Sequence, residues 1–166
     1  MKEKKPEKRK CHLDSCLCLP PCKPLLNKPV DPKFKAHIRK LAEYFRKQFY
    51  CGEYSLTIEY AIDDKGKTPE RRTAAEMLIN PTYLDFTLTI YPVLYEKYQE
   101  KDAYGVAEAI CHEIAHLLTE PLYRLAMWDV ASSQVEHIEE VRERQTERIK
   151  NTVMLFVPKK EYAIIK

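Results

Sequence analysis

The feature that most restricts the fold is an apolar helical run that contains two histidines. Residues 102–118 read DAYGVAEAICHEIAHLL, with small or aliphatic residues at most positions. This composition predicts a helix that is buried on most of its surface and begins at about Asp102, a residue type that caps the first turn. His112 and His116 lie one turn apart on the same face, so both imidazoles require polar partners from elsewhere in the fold.

Residues 112–116, HEIAH, form an HExxH motif. Histidines at i and i+4 can present two ring nitrogens to one metal ion, and the glutamate between them in sequence can receive a proton from a metal-activated water. The motif therefore predicts His112 and His116 as zinc ligands and Glu113 as the general base. The competing interpretation is a coincidental pair of core histidines that have hydrogen-bond partners and bind no metal.

A catalytic zinc site usually has a third protein ligand and one open position, and the charged segment after the motif offers several candidates. Glu143 ranks first, because Thr146 is small enough to let two helices approach closely and Glu147 can hold a motif histidine by its other ring nitrogen. Glu139 ranks second, since it lies nearer the centre of the apolar helix face. His137 ranks third.

The remaining periodicity predicts an α+β domain. Apolar residues spaced by three and four from Phe34 to Phe49 indicate a helix that ends near Cys51-Gly52, and alternation predicts strands within 54–64, 74–80 and 83–92. Because the connections are short, we expect a mainly antiparallel sheet of about three strands. Pro121 suits the first turn of a new helix, so the motif helix should end before residue 119, with further helices at 93–100, 121–131 and 133–156.

The first 32 residues differ in composition from the rest and predict a basic arm, 1–32, before a folded domain, 33–166. The net charge is +3, but residues 1–10 contain six Lys/Arg against two Glu, which leaves the body close to neutral. Four cysteines follow, and two interpretations stay open for them: a second, structural zinc site that contacts nucleic acid or a protein, or free thiols. These residues are Cys11, Cys16, Cys18 and Cys22.

Neither a membrane helix nor a secretion signal is expected from the sequence. No apolar stretch approaches the ~20 residues that a membrane helix requires, and the basic start lacks an apolar h-region. The sequence therefore predicts a cytoplasmic protein that does not contact the membrane.

The segment HEIAHLL, followed by a helix that contains ERQTERI, resembles the minimal gluzincin-type metallopeptidases, which include ImmA/IrrE-like and phage-encoded enzymes with SprT-like neighbours. The layout is similar over residues 34–157. The resemblance implies a minimal zincin-like fold in which Glu143 is the third ligand and the substrate strand lies along the edge of the sheet. Families with histidine as the third ligand, the SprT-like ones included, would need His137 in that role.

The expected function is hydrolysis of a protein or peptide by a zinc-dependent peptidase. The alternative is a zinc-containing binding or regulatory protein whose Cys-rich arm contacts a protein or nucleic acid, and a third possibility is a structural domain without metal. Tyr123, Arg124 and His137 are candidates to stabilise the oxyanion of peptide hydrolysis. Cys111 points away from His112 on the helix and is expected to be a core residue.

Overall fold

The computed structural model of the protein describes residues 30–64, 72–80, 82–128 and 134–164. These residues form five helices and three strands, which confirms the α+β prediction. Most of the predicted arm, residues 1–29, lies outside the described residues, and so do its four cysteines. The elements are α1 (Pro32–Gln48), β1 (Ser55–Tyr60), β2 (Ala75–Asn80), β3 (Asp85–Ile90), α2 (Pro92–Gln99), α3 (Ala103–Met127), α4 (Val135–Met154) and α5 (Lys159–Tyr162).

The sheet is mixed, so the prediction of a mainly antiparallel sheet is wrong. The strand order is β1-β3-β2, with β3 parallel to β1 and antiparallel to β2. Strands β2 and β3 are joined by residues 81–84, as in a hairpin. The connection from β1 to β2 spans residues 61–74, which is long enough to place β2 on the far side of β3. As a result, β2 is an edge strand.

Helix α1 begins two residues earlier than the apolar pattern indicates. The Asp31 side chain accepts a hydrogen bond from the backbone N–H of Lys33 at 2.9 Å, and Pro32 occupies the first turn, where its missing N–H costs nothing. The apolar face of α1 is buried, together with the inward side chains of β3 and the apolar face of α3. This core includes Phe34, Ile38, Leu41, Phe45, Phe86, Leu88, Ile90, Val106, Ile110 and Ile114.

Helix α3 is longer than predicted, because it continues through Pro121 to Met127. The prediction that it ends before residue 119 is therefore wrong, and no separate helix begins at Pro121. A proline inside a helix removes one backbone hydrogen bond. Here the Glu120 side chain forms an ion pair with Arg124, which lies beyond the proline on the next turn of α3. It forms a second ion pair with Arg142 on α4.

Helix α4 packs along α3 and matches the predicted charged helix to within two residues at each end. Thr146 on α4 is fully buried, so the two helices approach closely at that point. Among the described residues, none of the helices combines the length and the apolar character that crossing a bilayer requires.

Candidate metal centre

Helix α3 presents His112 and His116 on one face, with their ring centroids 5.0 Å apart. Glu143 on α4 lies opposite both rings: its carboxylate oxygens are 3.4 Å from His112 Nε2 and 3.6 Å from His116 Nε2. Donor atoms of all three residues lie within 4.8 Å of one another. Three donors from two packed helices are therefore close enough to bind one metal ion.

The other ring nitrogen of each histidine is held by α4. His112 Nδ1 lies 3.2 Å from Glu147 Oε2, and His116 Nδ1 lies 3.2 Å from Thr146 Oγ1. A hydrogen bond at Nδ1 fixes both the orientation of the ring and the nitrogen that is left for a metal. The predicted contact of Glu147 with a motif histidine is therefore confirmed. Thr146, predicted only as a small residue, also holds the second histidine.

The hydroxyl groups around His116 allow one consistent assignment of protons. Thr119 Oγ1 donates to the backbone carbonyl of His116 at 3.3 Å, and the two threonine hydroxyls are 3.0 Å apart. Since the Thr119 proton is used there, Thr146 donates to Thr119 and can accept from His116 Nδ1–H. This series of hydrogen bonds leaves the Nε2 lone pair of His116 directed towards Glu143.

Glu147 is itself held by an ion-pair network on the core side of α4. Lys150 Nζ donates to Glu147 Oε1 at 2.6 Å and to Glu108 Oε1 at 2.8 Å, and Lys150 is only 6% exposed. Hydrogen bonding from Lys150 lowers the pKa of Glu147, so Glu147 stays ionised beside His112. Lys150 therefore holds Glu147, and Glu147 holds the ring of His112, from two successive turns of α4.

Two of the three donors have the charge state that metal binding requires. The hydrogen bond to His112 lowers the pKa of Glu143 to about 2, and burial lowers the pKa of His116 to about 4. Glu143 is therefore ionised and His116 neutral at pH 7. The pKa of His112 is raised, chiefly by its hydrogen bond to Glu143. A bound cation would take the place of the proton between these two side chains.

Glu113 lies beside the donors and lines the same cleft, which has a volume of about 430 Å³ between β2, α3 and α4. Burial raises the pKa of Glu113 to about 7, although a hydrogen bond from the backbone N–H of Met77 on β2 opposes this rise. The carboxylate that the sequence predicts as the general base therefore lies between the donor set and the edge strand.

The outer edge of β2 forms one wall of this cleft. The backbone N–H of Tyr91 donates to the carbonyl of Ala74, and in an antiparallel ladder the hydrogen-bonded pairs alternate. The register therefore turns the backbone groups of Ala75, Met77 and Ile79 to the outer edge. No described strand pairs with that edge.

Two residues that the sequence did not single out, Glu120 and Arg142, also line the cleft. Glu120 is only 8% exposed and pairs with both Arg124 and Arg142. The Glu120–Arg124 spacing of four residues could have indicated a helical ion pair. The expected helix break at Pro121 concealed it.

The lower-ranked candidates lie elsewhere. Glu139 is exposed and accepts a hydrogen bond from the Tyr123 hydroxyl at 3.2 Å, and His137 is exposed on the first turn of α4. Of the three oxyanion candidates, only Arg124 lines the cleft. Cys111 is fully buried, as predicted for a core residue, and burial raises its pKa to about 12.

Comparison of the chain with protein-family models, curated proteins and solved structures found no match.

Proposed function

We propose that the protein is a zinc-dependent peptidase in which His112, His116 and Glu143 bind the metal. The observation that carries the proposal is the convergence of three donor atoms within 4.8 Å of one another, while both histidines have their other ring nitrogen hydrogen-bonded to α4. Two imidazoles and one carboxylate form a known ligand set of catalytic zinc, and the cleft leaves room for a fourth position. When bound, zinc supplies Lewis acidity and lowers the pKa of a coordinated water to about 7.

Glu113 is the proposed general base. Its carboxylate lines the cleft beside the donor set and faces Met77 of β2. A carboxylate so placed takes a proton from the attacking water and passes it to the leaving nitrogen. Glu113 makes no contribution to the donor set, so its role can be tested without removing the metal.

A peptide substrate fits the outer edge of β2. An extended peptide can add to a free edge through backbone hydrogen bonds, which do not depend on its side chains. The edge runs past Glu113, so a peptide paired with Ala75 and Met77 would pass the donor set. This agrees with the substrate position that the resemblance to gluzincin-type peptidases implies.

The test is the Glu113→Gln variant, assayed against a peptide library with mass-spectrometric detection of cleavage. We expect the wild-type protein to cleave peptides in the presence of zinc. The variant should lose at least a hundredfold in rate, as removal of a general base typically causes, and should keep its zinc. Glu139→Gln removes an exposed carboxylate of α4 and is the matched control.

Full activity in Glu113→Gln would remove Glu113 from the mechanism. Bound zinc without cleavage of any peptide by the wild-type protein would instead support the alternative, a zinc-containing binding or regulatory protein.

A further inference from the structure

One end of the cleft is built from two arginines that share one buried carboxylate. Arg124 Nε donates to Glu120 Oε1 at 2.7 Å, and Arg142 Nη1 donates to Glu120 Oε2 at 3.4 Å. We refer to Glu120, Arg124 and Arg142 as the arginine cluster. Because two guanidinium groups share one carboxylate, the cluster has one net positive charge.

Arg142 has one further carboxylate neighbour, which is the proposed metal ligand. Its Nη2 donates to Glu143 Oε1 at 3.2 Å, and its guanidinium lies 4.2 Å from the centre of the Tyr123 ring. In the zinc-loaded protein the charge of Glu143 is offset by the metal, so it does not neutralise Arg142. The ring of Tyr123 holds the guanidinium in place but adds no negative charge.

Arg124 limits how far a peptide can follow β2. Its Nη2 donates to the backbone carbonyl of Ile79 at 3.0 Å, which occupies an acceptor on the outer edge of the strand. A peptide that pairs with the edge at Ala75 and Met77 therefore meets the arginine cluster near Ile79. The Arg124 side chain is 52% exposed, and its Nη1 makes no hydrogen bond within the described residues.

We propose that the arginine cluster binds a carboxylate of the substrate, which is either the free C-terminus or an Asp or Glu side chain. This inference rests on the proposed function, because it places the peptide on the edge of β2. Guanidinium groups match carboxylates in charge and in planar geometry, and hydrogen bonds between them are stronger than neutral ones. Glu120 is buried against both arginines and keeps their positions fixed.

The test measures binding of fluorescent six-residue alanine peptides to the zinc-loaded Glu113→Gln variant by anisotropy. One probe is blocked at both ends, the second has a free C-terminus, and the third is a blocked set with one glutamate moved through the sequence. We expect the second probe or one of the third set to bind about tenfold more tightly than the neutral probe. Which of them does so identifies the source of the carboxylate.

The preference should disappear in Arg124→Gln and in Arg142→Gln, each introduced into the Glu113→Gln background. Arg39→Gln, at an exposed position on α1, removes the same charge far from the cleft and should leave the preference unchanged. Arg124→Glu should shift the preference towards a blocked peptide that contains lysine. Partial unfolding cannot produce such a reversal.

Equal binding of all probes, binding of none, or a preference that survives both glutamine substitutions would overturn the inference. The proposed function fails by a different result. If zinc-loaded wild-type protein cleaves no peptide while the binding preference is present, the carboxylate site stands and the peptidase does not.

Discussion

Two buried histidines of this protein have opposite surroundings. His37 on α1 is 0% exposed, and neither of its ring nitrogens has a hydrogen-bond partner within the described part of the chain; its ring packs 5.5 Å from that of Tyr98. His116 on α3 is also largely buried, but Thr146 holds its Nδ1 and Glu143 faces its Nε2. Burial alone therefore does not make a histidine a candidate metal ligand; His116 is one because its free ring nitrogen converges with two other donors.

The comparison also shows that a neutral ring alone does not make a histidine a candidate metal ligand. Burial lowers the pKa of His37 and of His116, so both rings favour the neutral form that a metal requires. Only His116 directs a ring nitrogen towards an ionised carboxylate. In the proposed site a second element, α4, supplies the anionic donor beside the neutral imidazole.

The largest expected effect is the difference in zinc content between variants that replace one or the other of these two histidines. His116→Ala deletes one of three proposed ligands and should abolish binding of one zinc equivalent, whereas His37→Leu should keep that equivalent. Metal content of the purified variants, measured by mass spectrometry, provides the comparison.

The four cysteines of the arm are candidates for a second zinc site. Both histidine variants are therefore also measured in a Cys16→Ser/Cys18→Ser background. Loss of zinc in His37→Leu, or full zinc content in His116→Ala, would contradict the proposed site.

A smaller effect is expected from the residues that orient the ligands. Thr146→Val keeps the shape of the side chain but removes the hydroxyl that holds His116 Nδ1, and Glu147→Gln weakens the support of His112. Losses of this kind reduce metal affinity by about 10- to 100-fold. Competition with a chelating dye measures the zinc dissociation constant.

Thr152→Val is the matched control, because the Thr152 hydroxyl is exposed and bonds only to the backbone carbonyl of Arg148. An unchanged affinity in both Thr146→Val and Glu147→Gln would mean that the hydrogen bonds to Nδ1 do not support the site.

The part of the site that follows from helical spacing could be predicted from the sequence. The separation of four residues fixes His112 and His116 on one face, and the same rule places Glu147 one turn after Glu143. The choice between Glu143 and Glu139 was less secure, because the helical wheel favoured Glu139. Packing of α4 on α3 at Thr146 places Glu143, and not Glu139, beside the two histidines.

Features that depend on tertiary neighbours could not be predicted. Pairing of β1 with β3 depends on where residues 61–74 place β2, and local alternation carries no information on that. Helix α3 continues through Pro121, and the Glu120 side chain beside the proline pairs with Arg142 of α4, a contact that local sequence does not reveal. The arginine cluster has only a partial sequence signature: Glu120 and Arg124 lie one turn apart on α3, whereas Arg142 joins them only after α3 and α4 have packed.

The smallest predicted effect concerns His37 and the dependence of stability on pH. Its pKa is lowered by burial and by the nearby charge of Lys40, so the folded value lies below that of the unfolded chain, about 6.5. As the pH falls below 6.5, the unfolded chain takes up a proton that the folded chain does not, and the free energy of unfolding decreases. His37→Leu removes this loss, which is at most about 1.4 kcal/mol per pH unit.

Urea denaturation of the wild-type protein and His37→Leu at pH 7.5, 6.5 and 5.5 measures the effect as a difference that grows towards low pH. Titration of the metal centre is common to both proteins and cancels. His137→Gln, at an exposed position, is the control and should follow the wild type. A difference that stays constant with pH would show that the pKa of His37 is the same in the folded and the unfolded chain. His37 would then differ from His116 in charge state as well as in partners, because the pKa of His116 is lowered by burial. Burial alone would not suffice to keep an imidazole of this protein neutral.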